Sequence, residues 1–191
     1  MAYQTYITEA IVCGSFDNQT SDRLFQLFTR EGGMVYAHAQ SVREERSKHR
    51  YALQVCAHAR VTLVHGKRGW RVTGAEPLHN FYFLTQTREA RAFVRNILLL
   101  LRRVVQGETA HEKIFDDVVY ACTQLHLHTP SKFETILSLR VLHTLGYVAR
   151  EDIFGEFLEQ SLALLPIDTL DDDREKRCKV CINNALRESH L

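Results

Sequence analysis

Four cations stand within eight residues in Arg43-Glu-Glu-Arg-Ser-Lys-His-Arg50, and Tyr51 follows directly. Charge at that density suits the oxygens of a phosphate backbone, because neutralising phosphates releases their condensed counterions. Two glutamates dilute the run, and a merely solvated loop is the plainer reading of any such stretch. Lys67, Arg68 and Arg71 form a second basic cluster. Trp70 and Tyr36 carry rings on which bases could stack, an interaction worth roughly 1–3 kcal/mol per base. Burial in a core is the more ordinary role for each ring taken alone, so a nucleic-acid reading rests mainly on charge.

Other chemistry is poorly served. Cys178-Lys-Val-Cys181 is a lone pair of thiols on one helical face. A structural zinc needs four ligands, and neither a second such pair nor a close histidine pair accompanies it; His126 and His128, near Cys122, are explained by an exposed helix end. No metal and no cofactor is expected. Asp116-Asp117 and Asp171-Asp-Asp173 could in principle hold magnesium for a nuclease, yet helix N-terminal charge accounts for them. The phosphate-binding G-x-x-x-x-G-K-[ST], the dinucleotide-binding G-x-G-x-x-G and the hydrolase G-x-S-x-G are all missing from the sequence, so no enzymatic activity is expected.

The elements that must position these residues change character along the chain. Period-two patterning and β-rich composition place strands at Tyr6–Cys13, Asp22–Thr29, Met34–Ser41, Ala57–His65 and Trp70–Ala75. In the second, Leu24 and Phe28 share one face and Phe25 and Leu27 the other, so both faces carry apolar load. Arg30-Glu-Gly-Gly33 and Gly66-Lys-Arg-Gly69 read as hairpin turns, the latter with two cations at its tip. Five short strands in about 75 residues suit an oligonucleotide-binding (OB) barrel or an SH3-like barrel, and periodicity alone does not choose.

After Pro77 the period becomes helical. From Arg88 to Val105 an apolar arc that includes Phe93, Ile97, Leu101 and Val104 opposes a stripe of Arg88, Arg91, Arg95 and Arg102, which Leu99 interrupts. The stripe is either a solvated face or an extension of the cationic surface. Further helices are expected at His111–Leu127, Ser131–Leu145 with Gly146 at its end, Glu151–Leu164, and Arg174–Glu188 opened by Asp171-Asp-Asp173. The fold class is therefore α+β: a five-stranded barrel of OB type or SH3-like type over residues 1–78, OB-type on the resemblance given below, followed by an all-α domain over residues 79–191.

Charge divides the chain in the same way. Residues 1–103 hold 15 lysines and arginines against 8 acids, a net +7, and the remainder holds 9 against 15, a net −6, which together make the +1 of the whole chain. A basic front half is what a phosphate-binding surface requires. The five cysteines are odd in number and scattered, which argues for reduced thiols. The first residues show no basic, then long apolar, leader, and the longest aliphatic stretch, Ile97–Leu101, is far short of the roughly 20 residues a membrane span needs. A cytoplasmic, nucleoid-associated protein without a membrane partner is expected.

Several segments together resemble a known family. Thr8-Glu-Ala-Ile-Val12, Ser21-Asp-Arg-Leu-Phe25, Leu27-Phe-Thr-Arg-Glu-Gly32, Ala39-Gln-Ser-Val-Arg43 with Arg46-Ser-Lys48, Tyr51-Ala-Leu-Gln54 and Gly74-Ala-Glu76 follow one another as do the strands and loops of the RecO recombination mediators. Phe133 to Tyr147 is similar to that family's helix ending in a Leu-Gly-Tyr turn, with Glu134 and Gly146-Tyr147 matching. Many members carry four cysteines after that turn to hold zinc, whereas this chain runs Val148-Ala-Arg-Glu-Asp-Ile-Phe154. The resemblance implies a DNA repair and recombination mediator that binds single- and double-stranded DNA. Such a protein anneals strands and acts with RecR to load RecA on strands coated by single-stranded DNA-binding protein. By the barrel motif it assigns DNA contact to Arg43, Arg46, Lys48 and Arg50. Lys67, Arg68, Arg71, Arg88, Arg91 and Arg95 join them on grounds of charge. Lys132 and Arg140 are the cations available for the acidic tail of the coating protein. The rival reading is a protein-interaction adaptor with incidental DNA binding.

Overall fold

The computed structural model describes residues 4–17, 22–40, 42, 49–149 and 155–189. Five strands, β1 (Thr5–Asp17), β2 (Arg23–Thr29), β3 (Gly33–Ala39), β4 (Ala57–Gly66) and β5 (Gly69–Asn80), form a closed barrel in the order β1-β2-β3-β5-β4. β1 serves both sides: Thr5–Ile11 pair with β4 and Ala10–Asp17 with β2, and a register shift between Val12 and Gly14 lets the strand bend between them. Neighbours are antiparallel except β3 and β5, whose parallel ladder joins, among the described residues, Ala37 to Trp70 and His38 to Arg71. This non-sequential, five-stranded closure is the OB-type arrangement.

The expected alternation in β2 is observed. Phe25 and Leu27 enter the barrel core with Ala10, Val12, Val35, Ala37, Val61 and Leu63. Phe28 points the other way and meets Phe115, ring centroids 5.6 Å apart. Strand β5 runs beyond the expected Ala75. Pro77 has no N–H for a ladder, and the structure accommodates it at a bulge, where the register with β4 shifts between His58 and Ala59.

The chain divides into two compact units, Met1–Leu84 with Val105–Phe115, and Thr85–Val104 with Asp116–Leu191. In the first unit a short helix α1 (Phe81–Leu84) follows β5, and the 105–110 segment lies against the β2–β3 turn. Met34 N–H donates to the Gly107 carbonyl at 2.9 Å. Gly33, at φ +63°, makes that approach possible, since a Cβ there would fall 2.3 Å from the Thr109 carbonyl oxygen.

The second unit is built on α2 (Arg88–Val104), α3 (Glu112–Gln124, which starts in the first unit), α4 (Pro130–Thr144), α5 (Gly155–Glu159) and α6 (Asp172–Glu188). Its centre is α4, buried from Phe133 to Leu142 except at Glu134, as a helix apolar nearly all round must be. Phe93 of α2 packs on Phe133 with centroids 5.9 Å apart. Gly146, at φ +81°, ends α4 as expected: its N–H donates to the His143 carbonyl, and Tyr147 N–H to the Leu142 carbonyl, the left-handed cap that glycine favours. Asp171 caps α6 by accepting from Arg174 N–H at 2.8 Å.

One expected helix is overturned. In place of Glu151–Leu164, of which residues 151–154 lie outside the described residues, the chain forms only the short α5 and a 3-10 turn at Leu162–Leu164. The Arg140 guanidinium takes the carbonyl oxygens of Phe157 and Gln160 as acceptors, and Ser161 is extended at ψ 138°. Carbonyls bonded by that side chain need no continuing helical turn to satisfy them. Among the described residues no helix is long and apolar enough to cross a membrane.

Candidate nucleic-acid interface

The β4–β5 hairpin presents the second basic cluster. Gly66 pairs with Gly69, leaving Lys67 and Arg68 at the tip, and of these turn residues only Gly69 has positive φ, +91°. That is the pattern of a type I turn closed by a left-handed glycine, which suits any residue type at its two central positions. Two long cations can therefore stand side by side without strain. Arg71 follows on the outward face of β5, while its neighbour Val72 is buried in the core. Across the short parallel ladder it is in register with His38 of β3. Asp22, His38, Gln40, Lys67, Arg68, Trp70 and Arg71 line one recess of about 610 Å³.

The electrostatics of the barrel distinguish these cations from the others. Arg23 is bound to Asp17 at 3.0 Å, Arg30 to Glu112 at 3.3 Å and Arg60 to Glu76 at 3.5 Å. Among the described residues Lys67, Arg68 and Arg71 make no such pair, so their field is left open to solvent. Tyr36 is 50% exposed on the outward face of β3, where a base could reach its ring. Trp70 is partly buried against the core, edge-on to Tyr6 and His65, and its indole N–H donates to Glu108 at 2.8 Å. Both aromatic expectations thus meet a mixed outcome, one ring presented and one mostly packed.

The run that carried most weight in the sequence is only partly described. Arg43, Arg46 and Lys48 lie outside the described residues. Arg50 lines a second recess of about 300 Å³ with Ser15, Arg23, Leu53 and Gln54. On α2, Arg88, Arg91 and Arg95 are all exposed along one face, with Leu99 exposed beside them and Phe93, Ile97 and Leu101 buried opposite.

In the helical unit the charged candidates are engaged internally. Arg140 is 3% exposed, bound to Asp117 at 2.9 Å and to the two carbonyls of the α5 segment. Its cation faces the interior and is not presented to a partner. Lys132 donates to the Asp168 carbonyl at 3.2 Å. Of the acids considered for a metal, Asp117 holds Arg140, Asp171 caps α6 and Asp173 pairs with Arg177. Burial pushes the Cys178 thiol up to about 11, so the free thiol is protonated near neutrality.

Sequence reasoning missed a polar pair made by a buried histidine and a half-buried carboxylate. His58 of β4 is enclosed by Phe81, His79 and Phe115, and its Nε2 lies 2.9 Å from a Glu9 carboxylate oxygen. The two residues are 49 apart in the chain, so no local spacing signals them. Burial, partly opposed by Glu9, pushes the His58 pKa below its ordinary 6.5. The unfolded chain then binds the proton more readily, so the contribution of this site to stability is complete above about pH 6.5 and declines as pH falls through the lower folded value. Thermal unfolding followed from about pH 7.5 to 5 is expected to show that decline, and His58→Asn to flatten it. An equal decline in the variant would assign the effect to other groups.

Residues 1–81, the whole barrel, match the family model described as Recombination protein O N terminal. Among curated proteins, the DNA repair protein RecO of Heliobacterium modesticaldum is 38% identical over 142 residues, 74% of this chain and 52% of that protein. The DNA repair protein RecO of Desulfitobacterium hafniense is 26% identical over 145 residues, covering 76% and 53%. That of Dehalococcoides mccartyi is 25% identical over 141 residues, covering 73% and 56%. The chain thus spans about half the length of the curated relatives it matches. With an OB-type barrel matched from its first strand to its last, residues 1–81 are an N-terminal domain of the RecO family, and similarity to RecO proteins continues into the helices.

Proposed function

We propose that this chain works in DNA repair as a recombination mediator that binds single- and double-stranded DNA and promotes annealing without making or breaking a bond. In this reading residues 1–78 are the DNA-facing barrel and residues 79–191 the helical part. The observation that carries it is the open field of Lys67, Arg68 and Arg71 on the β4–β5 hairpin, together with the exposed ring of Tyr36 on β3, in a barrel whose other described cations mostly have acid partners. In OB-type barrels the β2–β3 face and the β1–β2 and β4–β5 loops are where oligonucleotides bind. Arg50 adds to the charge of the barrel, and the Arg43–Lys48 run and the Arg88–Arg91–Arg95 face of α2 are further cations proposed for DNA contact on the ground of their charge. Such a surface lowers the repulsion between two strands, so that pairing proceeds. Action with RecR, contact with the tail of single-stranded DNA-binding protein and loading of RecA complete the proposal, together with a cytoplasmic, nucleoid-associated location.

The test is annealing of complementary oligonucleotides coated beforehand with single-stranded DNA-binding protein. Added protein is expected to raise the annealing rate, the more so when RecR is present, and high salt to remove the gain. A rate indifferent to the protein at every salt concentration would sink the mediator reading.

A further inference from the structure

The β4–β5 recess is more densely charged than tracking a strand requires. A surface that follows a backbone spreads its cations along the path, one per phosphate. Here Lys67, Arg68 and Arg71 are gathered within five residues around a single recess of about 610 Å³, a size in the range of small-ligand sites. An internal phosphodiester offers one negative charge, whereas a phosphate monoester carries roughly −1.5 to −2 at neutral pH with three acceptor oxygens. Three cations without acid partners match the second better than the first.

The rest of the wall completes a nucleotide's requirements. His38 stands in register with Arg71 and adds a ring nitrogen beside the anion position. Gln40 offers an amide that can both donate and accept. Asp22 is the acid in this wall; its carboxylate disfavours the phosphate at its own position and is of the kind that accepts from a sugar hydroxyl or an exocyclic amine. We propose that this recess seats the terminal nucleotide of a strand by its phosphate monoester, so that the barrel distinguishes a phosphorylated end from continuous DNA. The proposal rests on the reading of the barrel as DNA-facing and deepens it.

The full chain is titrated with one short single-stranded oligonucleotide in three forms, 5′-phosphorylated, 3′-phosphorylated and without terminal phosphate, by fluorescence anisotropy. Separately, a deoxynucleoside monophosphate and inorganic phosphate are titrated against the emission of Trp70, the one tryptophan of the chain. One phosphorylated form is expected to bind about tenfold more tightly than the form without phosphate, as one or two charge-assisted hydrogen bonds would give. The form preferred assigns the strand polarity. The mononucleotide is expected to shift Trp70 emission and to displace the oligonucleotide at lower concentration than inorganic phosphate, and Lys67→Gln with Arg71→Gln to abolish the preference. Equal, salt-sensitive binding of all three forms would overturn end recognition and leave the DNA reading standing. Failure of all three to bind would overturn the DNA reading itself. Displacement by inorganic phosphate as effective as by the mononucleotide would reduce the recess to an anion site and overturn the proposal.

Discussion

Replacing Lys67, Arg68 and Arg71 together with glutamate is expected to lower affinity for single-stranded DNA by about two orders of magnitude at low salt, and to flatten its salt dependence. Each phosphate neutralised on a single strand contributes about 0.7 to the slope of log affinity against log salt, so loss of three contacts removes about 2 from it. Anisotropy titrations over a fourfold range of salt resolve a change of that size. Arg60→Gln is the control, because Glu76 already neutralises Arg60 at 3.5 Å, and an exposed pair of that kind contributes little beyond itself. An unchanged slope in the triple variant would remove the hairpin from the interface, whatever happened to the affinity.

Gly33→Ala is expected to be the most damaging small substitution in the barrel. An added Cβ would stand 2.3 Å from the Thr109 carbonyl oxygen, 2.8 Å from the Gly107 carbonyl oxygen and 2.9 Å from the Thr109 nitrogen. All three are backbone atoms, which cannot swing aside as a side chain can. The left-handed conformation alone costs about 1–2 kcal/mol for a residue with a Cβ. Moving the 107–109 segment also breaks the Met34 to Gly107 hydrogen bond and draws Glu108 from the Trp70 indole, about 1 kcal/mol each. Together these give a loss of about 3–5 kcal/mol, or a fall in Tm of roughly 10 °C in a chain of this length. Thermal unfolding measures it, with Trp70 emission reporting the displaced carboxylate. A variant melting within about two degrees of the parent would mean that the close approach does not exist. Gly69→Ala is the informative comparison: nothing lies within 4 Å of its Cβ position, so only the conformational cost applies.

The barrel was legible because its signals are local. Phe25 and Leu27 alternate with Gln26 and Phe28, and the glycine pairs at 32–33 and 66–69 mark turns in which Gly33 and Gly69 take the positive φ that favours glycine. Gly146 likewise announces the end of α4. Features set by long-range pairing were not legible. Pro77 suggested that β5 had ended, yet a bulge opposite His58 and Ala59 carries the strand to Asn80. The helix expected over Glu151–Leu164 is interrupted by a guanidinium from Arg140, on a different helix. The site divides in the same way. The cations of residues 67–71 are visible in the sequence, but which barrel arginines remain unneutralised is not. Arg60 meets Glu76 because they are cross-strand partners in the β4–β5 register, and His58 meets Glu9 only once β1 lies beside β4.

The parallel junction of β3 with β5 bears on how the barrel assembles and where it yields. One piece, β1 to β3, can zip as a meander and the other, β4 with β5, as a hairpin, each from contacts near in sequence. Their final closure depends on β4 reaching β1 over a long ladder and β3 reaching β5 over two described residue pairs. The shorter of these seams is the weak stave of the cask, where thermal opening is expected to begin. His38 and Arg71 face each other across it, so every such opening widens the charged recess, and a ligand gripping both sides would act as a rivet.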